Sequence, residues 1–195
     1  MTTIYLVRHP ATPWSGLRYA GRTDVPLSVA GLRAVSLIAA RLADRAPAAS
    51  RVVASPLRRA AEPAREIAAA GGWPLAIDER WREVDFGAIE GVTFGDLARD
   101  WPALAARLVR GERAIDWPAG ESWAAFRDRV AAAWAALLQI PEHTTIVVAH
   151  GGPIELALEL TLGHRRQLRR VAPGEVLEVV LSRPPRLVGG WRPGR

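Results

Sequence analysis

Short apolar runs alternate along the chain with longer stretches in which apolar residues recur every three or four positions. The short runs are typical of strands, and they lie at residues 4–7, 51–54, 75–77, 145–149 and 176–181. The longer stretches, with their capping residues, predict helices after residue 28 and over residues 55–70, 93–110, 121–138 and 153–162. Strands that alternate with helices favour a three-layer α/β/α fold with a mostly parallel central sheet.

The second predicted helix carries clear signals at both ends. Ser55 is predicted as its N-cap, with Pro56 at the first helical position, and residues 71–72 are two glycines that should end it. Pro63 lies inside this helix and removes the hydrogen bond to the carbonyl of residue 59. We therefore expect a kink at Pro63.

Residues 93–110 are predicted to be helical, with Thr93 as the N-cap and a break at residues 101–102, where Trp precedes Pro. They belong to a short helical cap insertion at about residues 90–120. The tail from Pro184 is rich in Pro, Gly and Arg, so it is expected to be loosely held, with residues 176–181 as the last strand. The chain of 195 residues is expected to form a single domain over residues 1–195.

Composition narrows the class of protein. The absence of cysteine excludes disulfides, thiolate metal sites and cysteine nucleophiles. The N-terminus lacks the basic stretch of a signal peptide, and no apolar run approaches the roughly 20 residues that span a bilayer. We therefore expect a cytoplasmic protein with no membrane partner.

The net charge of +6 comes from 26 basic and 20 acidic residues, and every basic side chain is Arg. This balance suits anionic small molecules or nucleic acid. The Arg-rich run at residues 164–170 invites a nucleic-acid interpretation, but no binding motif accompanies it, so we expect a solvated patch and no nucleic-acid partner. His143 and His164 are expected at the surface.

Three polar clusters follow three predicted strands. Arg8 and His9 follow the first strand, residues 55–59 follow the second, and residues 150–152 (His-Gly-Gly) follow the strand at 145–149. Ligands of such sheets bind outside the carboxyl ends of the strands, so these clusters should meet. Two imidazoles and several guanidinium groups at one edge would bind a phosphate dianion.

A histidine in such a pocket can attack phosphorus and form a covalent intermediate. The leaving alkoxide then needs a proton, for which Glu83 is the best-placed carboxyl group. Neither His9 nor His150 has zinc-site spacing, and neighbouring arginines would repel a cation. We expect no metal and no cofactor.

Four segments resemble the motifs of the histidine phosphatase superfamily, the phosphoglycerate mutase-like proteins, in the expected order over residues 3–181. They are Leu6-Val7-Arg8-His9, Ser55-Pro56-Leu57-Arg58-Arg59-Ala60, Glu83-Val84-Asp85-Phe86-Gly87 with Glu90-Gly91, and Ala149-His150-Gly151-Gly152. The resemblance implies that His9 is phosphorylated, that Glu83 donates the proton and that His150 is the second pocket histidine. It also implies phosphate contacts from two arginines, a histidine, a serine and a glycine: Arg8, Arg59, His150, Ser15 and Gly151.

The sequence departs from this pattern at two positions near the nucleophile. Pro10 replaces the usual glycine after the histidine, which removes a backbone donor. Ser15 stands near the position of a phosphate-contacting asparagine and has a shorter reach. Arg22 is a candidate substrate contact, with a solvated loop position as the equal alternative.

Residues 19–28 resemble the corresponding loop of α-ribazole phosphatase-type small phosphatases, and the cap is short for a mutase. We therefore expect a phosphatase acting on a small phosphorylated metabolite. The alternatives are a cofactor-dependent phosphoglycerate mutase and a catalytically decayed phosphate-ligand-binding protein. The sequence leaves the substrate and the oligomeric state open.

Overall fold

A computed structural model describes residues 2–47, 50–139, 144–163 and 170–194. The strands are β1 (Thr2–Arg8), β2 (Arg51–Ala54), β3 (Leu75–Ile77), β4 (Thr145–Ala149), β5 (Val176–Leu181) and β6 (Arg186–Trp191). The α-helices are α1 (Val29–Arg45), α2 (Arg58–Gly71), α3 (Phe94–Asp100), α4 (Pro102–Val109), α5 (Trp123–Leu138) and α6 (Gly151–Leu162).

The strands form one sheet in the order β3-β2-β4-β1-β5-β6. The pairs β3–β2, β2–β4 and β4–β1 are parallel, and β5 and β6 add two antiparallel pairs at one side. All five residues of β4 are buried, as expected for a strand in the middle of a parallel sheet. The predicted α/β fold with a mostly parallel sheet is confirmed.

Alternate side chains of β1 enter two hydrophobic cores. Ile4 and Leu6 pack on one face with Trp134 of α5 and Ile154 of α6. Tyr5 and Val7 pack on the opposite face against α1 and α2. This period of two along the strand separates the helices into the two outer layers of the predicted three-layer arrangement.

The cap has a small core of its own, formed by apolar residues at 89, 97, 104, 105 and 115. Thr93 caps α3 as predicted, since its hydroxyl accepts a hydrogen bond from the Asp96 N–H at 3.1 Å. The predicted break between the two cap helices falls at Trp101, which ends α3 and precedes Pro102 at the start of α4.

The predicted start of the second helix is wrong. Helix α2 begins at Arg58, with Leu57 as an N-cap that makes no side-chain capping bond. The hydroxyl of Ser55 is hydrogen-bonded to His150 instead. The helix runs through the buried Pro63 to Gly71, and a kink at Pro63 stays a prediction.

The prediction that residues 176–181 form the last strand is also wrong. Residues 186–191, within the tail from Pro184, form β6 and pair antiparallel with β5. The side chain of Trp191 packs against the core on the α1 side, and the guanidinium of Arg41 lies 4.3 Å from its ring centre. These contacts hold a segment whose composition alone suggested a loose tail.

Among the described residues, no helix is both long enough and apolar enough to cross a membrane.

Candidate active site

The carboxyl ends of β1, β2 and β4 bring three polar clusters together. The His9 N–H donates to the Ala149 carbonyl at 2.9 Å, and the Ser55 N–H donates to the Val148 carbonyl at 3.0 Å. Both residues thus continue the hydrogen bonding of the sheet beside His150, the N-cap of α6. The rings of His9 and His150 lie 5.1 Å apart, centre to centre, at an angle of 62°.

The backbone fixes which ring nitrogen of His9 carries a proton. Nδ1 lies 2.7 Å from the carbonyl oxygen of Pro10. A carbonyl can only accept, so Nδ1 is the donor and Nε2 of the neutral ring keeps its lone pair. Residue 10 therefore contacts His9 through its backbone carbonyl. Proline keeps this acceptor, although it lacks the N–H that a glycine would have.

Arg8 lies against the start of α6. Its Nη1 donates to the Val171 carbonyl. A Cβ placed on Gly151 would lie 3.3 Å from the guanidinium carbon of Arg8, so the absent side chain at 151 lets the guanidinium lie close to the helix backbone.

Arg59 is 1% exposed and is held by the loop before α1. Its Nη1 donates to the Thr23 carbonyl at 2.7 Å. Its Nη2 donates to the carbonyls of Ala20 at 3.0 Å and Gly21 at 2.6 Å. These bonds fix the direction of the guanidinium and occupy only its outer nitrogens.

Three side chains of the site each keep one buried nitrogen without a hydrogen-bond partner among the described residues. They are Nε of Arg8, Nε of Arg59 and Nδ1 of His150. Buried polar groups are normally paired, so an oxyanion between these side chains would supply the missing acceptors. A phosphate group has the charge and the oxygen atoms to do so.

Burial and nearby positive charge favour the neutral form of both imidazoles. Burial and the charges of Arg59 and Arg8 lower the pKa of His9 well below its ordinary value of 6.5. Burial, Arg59 and His9 act in the same direction and lower the pKa of His150 well below 6.5. Neutral His9 can act as a nucleophile at neutral pH, while the two arginines supply fixed positive charge.

Glu83 faces the start of α6. Its Oε1 accepts from the Val84 N–H at 3.0 Å, and its Oε2 accepts from the Gly152 N–H at 3.3 Å. A Cβ on Gly152 would lie 2.4 Å from Oε1, so only glycine leaves room for the carboxyl group there. Glu83 lines the same cavity as Arg8 and His9, as a proton donor must.

Two arginines hold the backbone that carries Glu83. Arg129 donates from Nη1 to the carbonyls of Arg80 and Arg82, both at 2.8 Å, and pairs with Glu121 at 2.7 Å. Arg22 donates from Nε to the Glu83 carbonyl at 3.1 Å. Although Arg22 is described, it is not among the residues that line the cavity, and its role as a substrate contact stays a prediction.

Glu90 organises the loop that holds Arg59. Its carboxylate accepts from the N–H groups of Gly21 at 3.1 Å, Arg22 at 2.8 Å and Thr23 at 3.2 Å. It also accepts from the Thr23 hydroxyl at 2.6 Å. In the sequence, Glu90 stands out only as part of a motif. The spacing of that motif gave no indication that the Glu90 carboxylate binds residues 21–23.

Ser15 lies at the cavity wall, where its hydroxyl accepts from the Thr12 N–H at 2.9 Å. Its contact with phosphate stays a prediction. The expected surface histidines His143 and His164 lie outside the described residues, as do residues 164–169 of the Arg-rich run.

A cavity of about 640 Å³ opens above His9. Residues of the first loop, the cap and the start of α6 line it. Arg8, His9, Glu83 and Gly151 are among the lining residues, and we call the part of the lining that they form the floor. In the described part of the chain, no group of three or more His, Asp or Glu side chains could hold a metal ion.

Comparison with known proteins identifies the family. The model of the histidine phosphatase superfamily (branch 1) matches residues 4–182. This chain belongs to that superfamily. Its members are phosphatases or mutases, and the four motifs carry the same residues that converge in the structure.

The curated relatives of this superfamily member include a probable phosphoglycerate mutase GpmB of Yersinia pestis (strain Pestoides F). The two are 30% identical over 196 residues, which cover 98% of this chain and 90% of the relative.

Solved structures agree over nearly the whole fold. A phosphoglycerate mutase from Thermus thermophilus is 30% identical, with a TM-score of 0.70 over 96% of this chain and 97% of the other. A mycobacterial glucosyl-3-phosphoglycerate phosphatase in complex with VO3 is 26% identical, with a TM-score of 0.82 over 97% and 98%. These names span both reactions of the superfamily.

Proposed function

We propose that this protein hydrolyses a small phosphorylated metabolite, with His9 as the nucleophile and Glu83 as the proton donor. The observation that carries the proposal is the bond from His9 Nδ1 to the Pro10 carbonyl, which leaves the lone pair on Nε2. The buried nitrogens of Arg8, Arg59 and His150 that have no partner within the described part of the chain are candidate donors to a phosphoryl group.

In the first step, the lone pair of His9 Nε2 attacks phosphorus and forms the P–N bond. The P–O bond to the leaving group breaks, and its electrons stay on the leaving oxygen. Protonated Glu83 gives that oxygen a proton and becomes a carboxylate. The two arginines stabilise the charge on the phosphoryl oxygens throughout.

In the second step, water attacks phosphorus and loses a proton to the Glu83 carboxylate. The P–N bond breaks, Nε2 regains its lone pair, and inorganic phosphate leaves. Both groups return to their starting states, so no co-reactant is needed beyond water.

Turnover of p-nitrophenyl phosphate and of a panel of phosphorylated metabolites tests the proposal. We expect His9→Ala to abolish release of phosphate, and rapid quenching of the wild type to trap an acid-labile phosphoryl group on His9. Wild-type protein that releases no phosphate from any substrate would favour the decayed binding protein and reject hydrolysis.

A phosphoglycerate mutase is the second candidate, because relatives carry that name. A mutase must hold a bisphosphate while it reorients, which favours a longer cap than the two helices of seven and eight residues found here. Isomerisation of phosphoglycerate that rises strongly with a bisphosphoglycerate primer, and exceeds phosphate release, would establish the mutase instead.

A further inference from the structure

The cavity that His9 lines is much larger than a phosphate group, and much of its lining is apolar. Seven Trp, Tyr and Phe residues line it. We call five of them the aromatic wall: Tyr19, Phe86, Trp117, Trp123 and Phe126. Its rings contact one another, with centres 4.5 Å apart for Phe86 and Trp117 and 5.3 Å apart for Tyr19 and Phe86. Such contacts form a rigid surface against which a flat apolar group can stack.

The mouth of the cavity carries exposed apolar side chains. Leu17, Phe94 and Val109 line it and are 67%, 46% and 73% exposed, and we call them the apolar rim. Two lie in the cap and one in the first loop, so separate segments build the rim. Exposed apolar residues gathered at a cavity indicate a binding surface.

The other charged residues of the cavity lining balance one another in number. Beyond Arg8 and Glu83, the described lining residues include three arginines and three glutamates, at positions 18, 113, 170, 112, 155 and 159. Arg113 pairs with Glu155 at 3.2 Å and Glu159 at 3.6 Å. Nη1 of Arg18 donates to the Gly91 carbonyl at 2.7 Å. Arg18 and Arg113 therefore already have partners, and the three glutamates of the lining would repel a second anionic group on the substrate.

From this distribution we infer the substrate class: a phosphate monoester whose remaining part is neutral and apolar, with an aromatic ring or a group of similar size. The phosphate binds at the floor beside His9, and the apolar part packs between the aromatic wall and the apolar rim. This inference rests on the proposed function for the position of the phosphate. The cavity volume of about 640 Å³ is large enough for a substrate of this kind.

Binding of phosphonates tests the inference without requiring turnover. Calorimetry would compare 3-phenylpropylphosphonate with propylphosphonate, which share the anionic group and differ by one phenyl ring. We expect the phenyl compound to bind about 10–100-fold more tightly, because its ring leaves water. Affinities within about twofold of one another would overturn the inference.

Turnover separates this inference from the proposed function. The esters 2-phenylethyl phosphate and ethyl phosphate have leaving groups of the same alkanol type, so proton donation affects both alike. We expect kcat/KM to favour the phenyl ester, with 3-phosphoglycerate no better than ethyl phosphate. Preference for 3-phosphoglycerate would overturn the inference, whereas tight phosphonate binding without any turnover would retain it and reject hydrolysis.

Exposed leucines provide a matched pair of variants. Leu17→Ser removes part of the apolar rim, and Leu37→Ser makes the same change on α1, at a side chain 58% exposed and outside the cavity lining. We expect Leu17→Ser to lower the phenyl preference about threefold and Leu37→Ser to leave it unchanged. Equal preferences in the two variants would contradict a role for the rim.

Discussion

The hydroxyl oxygen of Ser55 lies 2.7 Å from Nε2 of His150, and both residues are fully buried. The Leu57 N–H donates to the same hydroxyl oxygen at 3.3 Å, which leaves the hydroxyl hydrogen free to point at His150. Nε2 then accepts, and the ring proton lies on Nδ1, the nitrogen without a partner among the described residues. Ser55 thereby makes His150 a donor toward the proposed phosphate.

Ser55→Ala should therefore weaken catalysis through His150. Without the hydroxyl, no group holds the proton on Nδ1, so we expect kcat/KM to fall about tenfold. Nitrogen NMR of histidine-labelled protein should show the proton of His150 redistributed between its two ring nitrogens.

Ser50→Ala is the matched control, since Ser50 is also buried and its hydroxyl bonds the Pro47 carbonyl, away from the site. That change should alter stability without shifting the His150 nitrogens. A Ser55→Ala protein with wild-type kcat/KM and an unchanged His150 tautomer would contradict the positioning role.

Glu90 is expected to affect phosphate binding indirectly, because it holds the loop whose carbonyls orient Arg59. The carboxylate of Glu90 now accepts N–H bonds from Gly21, Arg22 and Thr23 through both of its oxygens. In Glu90→Gln, the amide oxygen replaces only one of these oxygens and the amide nitrogen cannot accept, so part of this set of bonds is lost. We expect the free energy of unfolding to fall by about 2 kcal/mol. Because the carbonyls that hold Arg59 should shift, binding of vanadate should weaken about tenfold.

The same change at Glu62 provides the control, because Glu62 forms an exposed pair with Arg58 on α2. Loss of this solvent-exposed pair should leave the stability nearly unchanged. Should Glu90→Gln bind vanadate as the wild type does, the path from Glu90 to Arg59 would be rejected.

The sequence was sufficient to predict which polar clusters meet. Arg8 with His9, Arg59 and His150 each follow a strand or open a helix at one sheet edge, and that follows from the α/β pattern alone. The apolar pattern likewise predicted strands β1 to β5 and the layers, because burial on one or both faces of an element determines where its apolar residues occur.

Contacts between distant segments could not be predicted in this way. Ser55 has the sequence features of an N-cap, and only the pairing of β2 with β4 places it beside His150. Glu90 lies 69 residues from Gly21, and no local pattern indicates that its carboxylate closes that loop. β6 was not predicted because its two glycines and its arginine are not typical of a strand. Its pairing with β5, which the local sequence does not reveal, stabilises it.

Gly152→Ala should impair proton donation. The new methyl group would lie 2.4 Å from Oε1 of Glu83 and 3.2 Å from the ring of Phe126, so the carboxyl group must move. We expect hydrolysis of ethyl phosphate to fall about 100-fold, because an alkoxide cannot leave without a proton. Hydrolysis of p-nitrophenyl phosphate should fall much less, since its leaving group is a stable anion.

Gly95→Ala is the control for this change. Gly95 and Gly152 are each the second residue of a helix, and a Cβ on Gly95 meets nothing closer than 3.8 Å. Equal losses for the two substrates in Gly152→Ala would indicate general distortion and would contradict Glu83 as the proton donor.

The two buried imidazoles should make the fold sensitive to mild acid. Because burial and the arginines lower the pKa values of His9 and His150 below 6.5, the unfolded chain binds protons that the folded protein does not. Their contribution to stability is complete above pH 6.5 and is lost as pH falls toward their folded-state pKa values. Each histidine should steepen the loss by up to about 1.4 kcal/mol per pH unit.

Urea denaturation between pH 7.5 and 5 would measure this slope. The double variant His9→Asn, His150→Asn should show a shallower dependence, since asparagine takes up no proton in either state. The comparison of slopes is independent of any change in absolute stability at pH 7.5, where both histidines are neutral in both states. Identical slopes in the two proteins would mean that the imidazoles titrate normally in the folded state. The neutral nucleophile on which the proposed mechanism depends would then be lost at mildly acid pH.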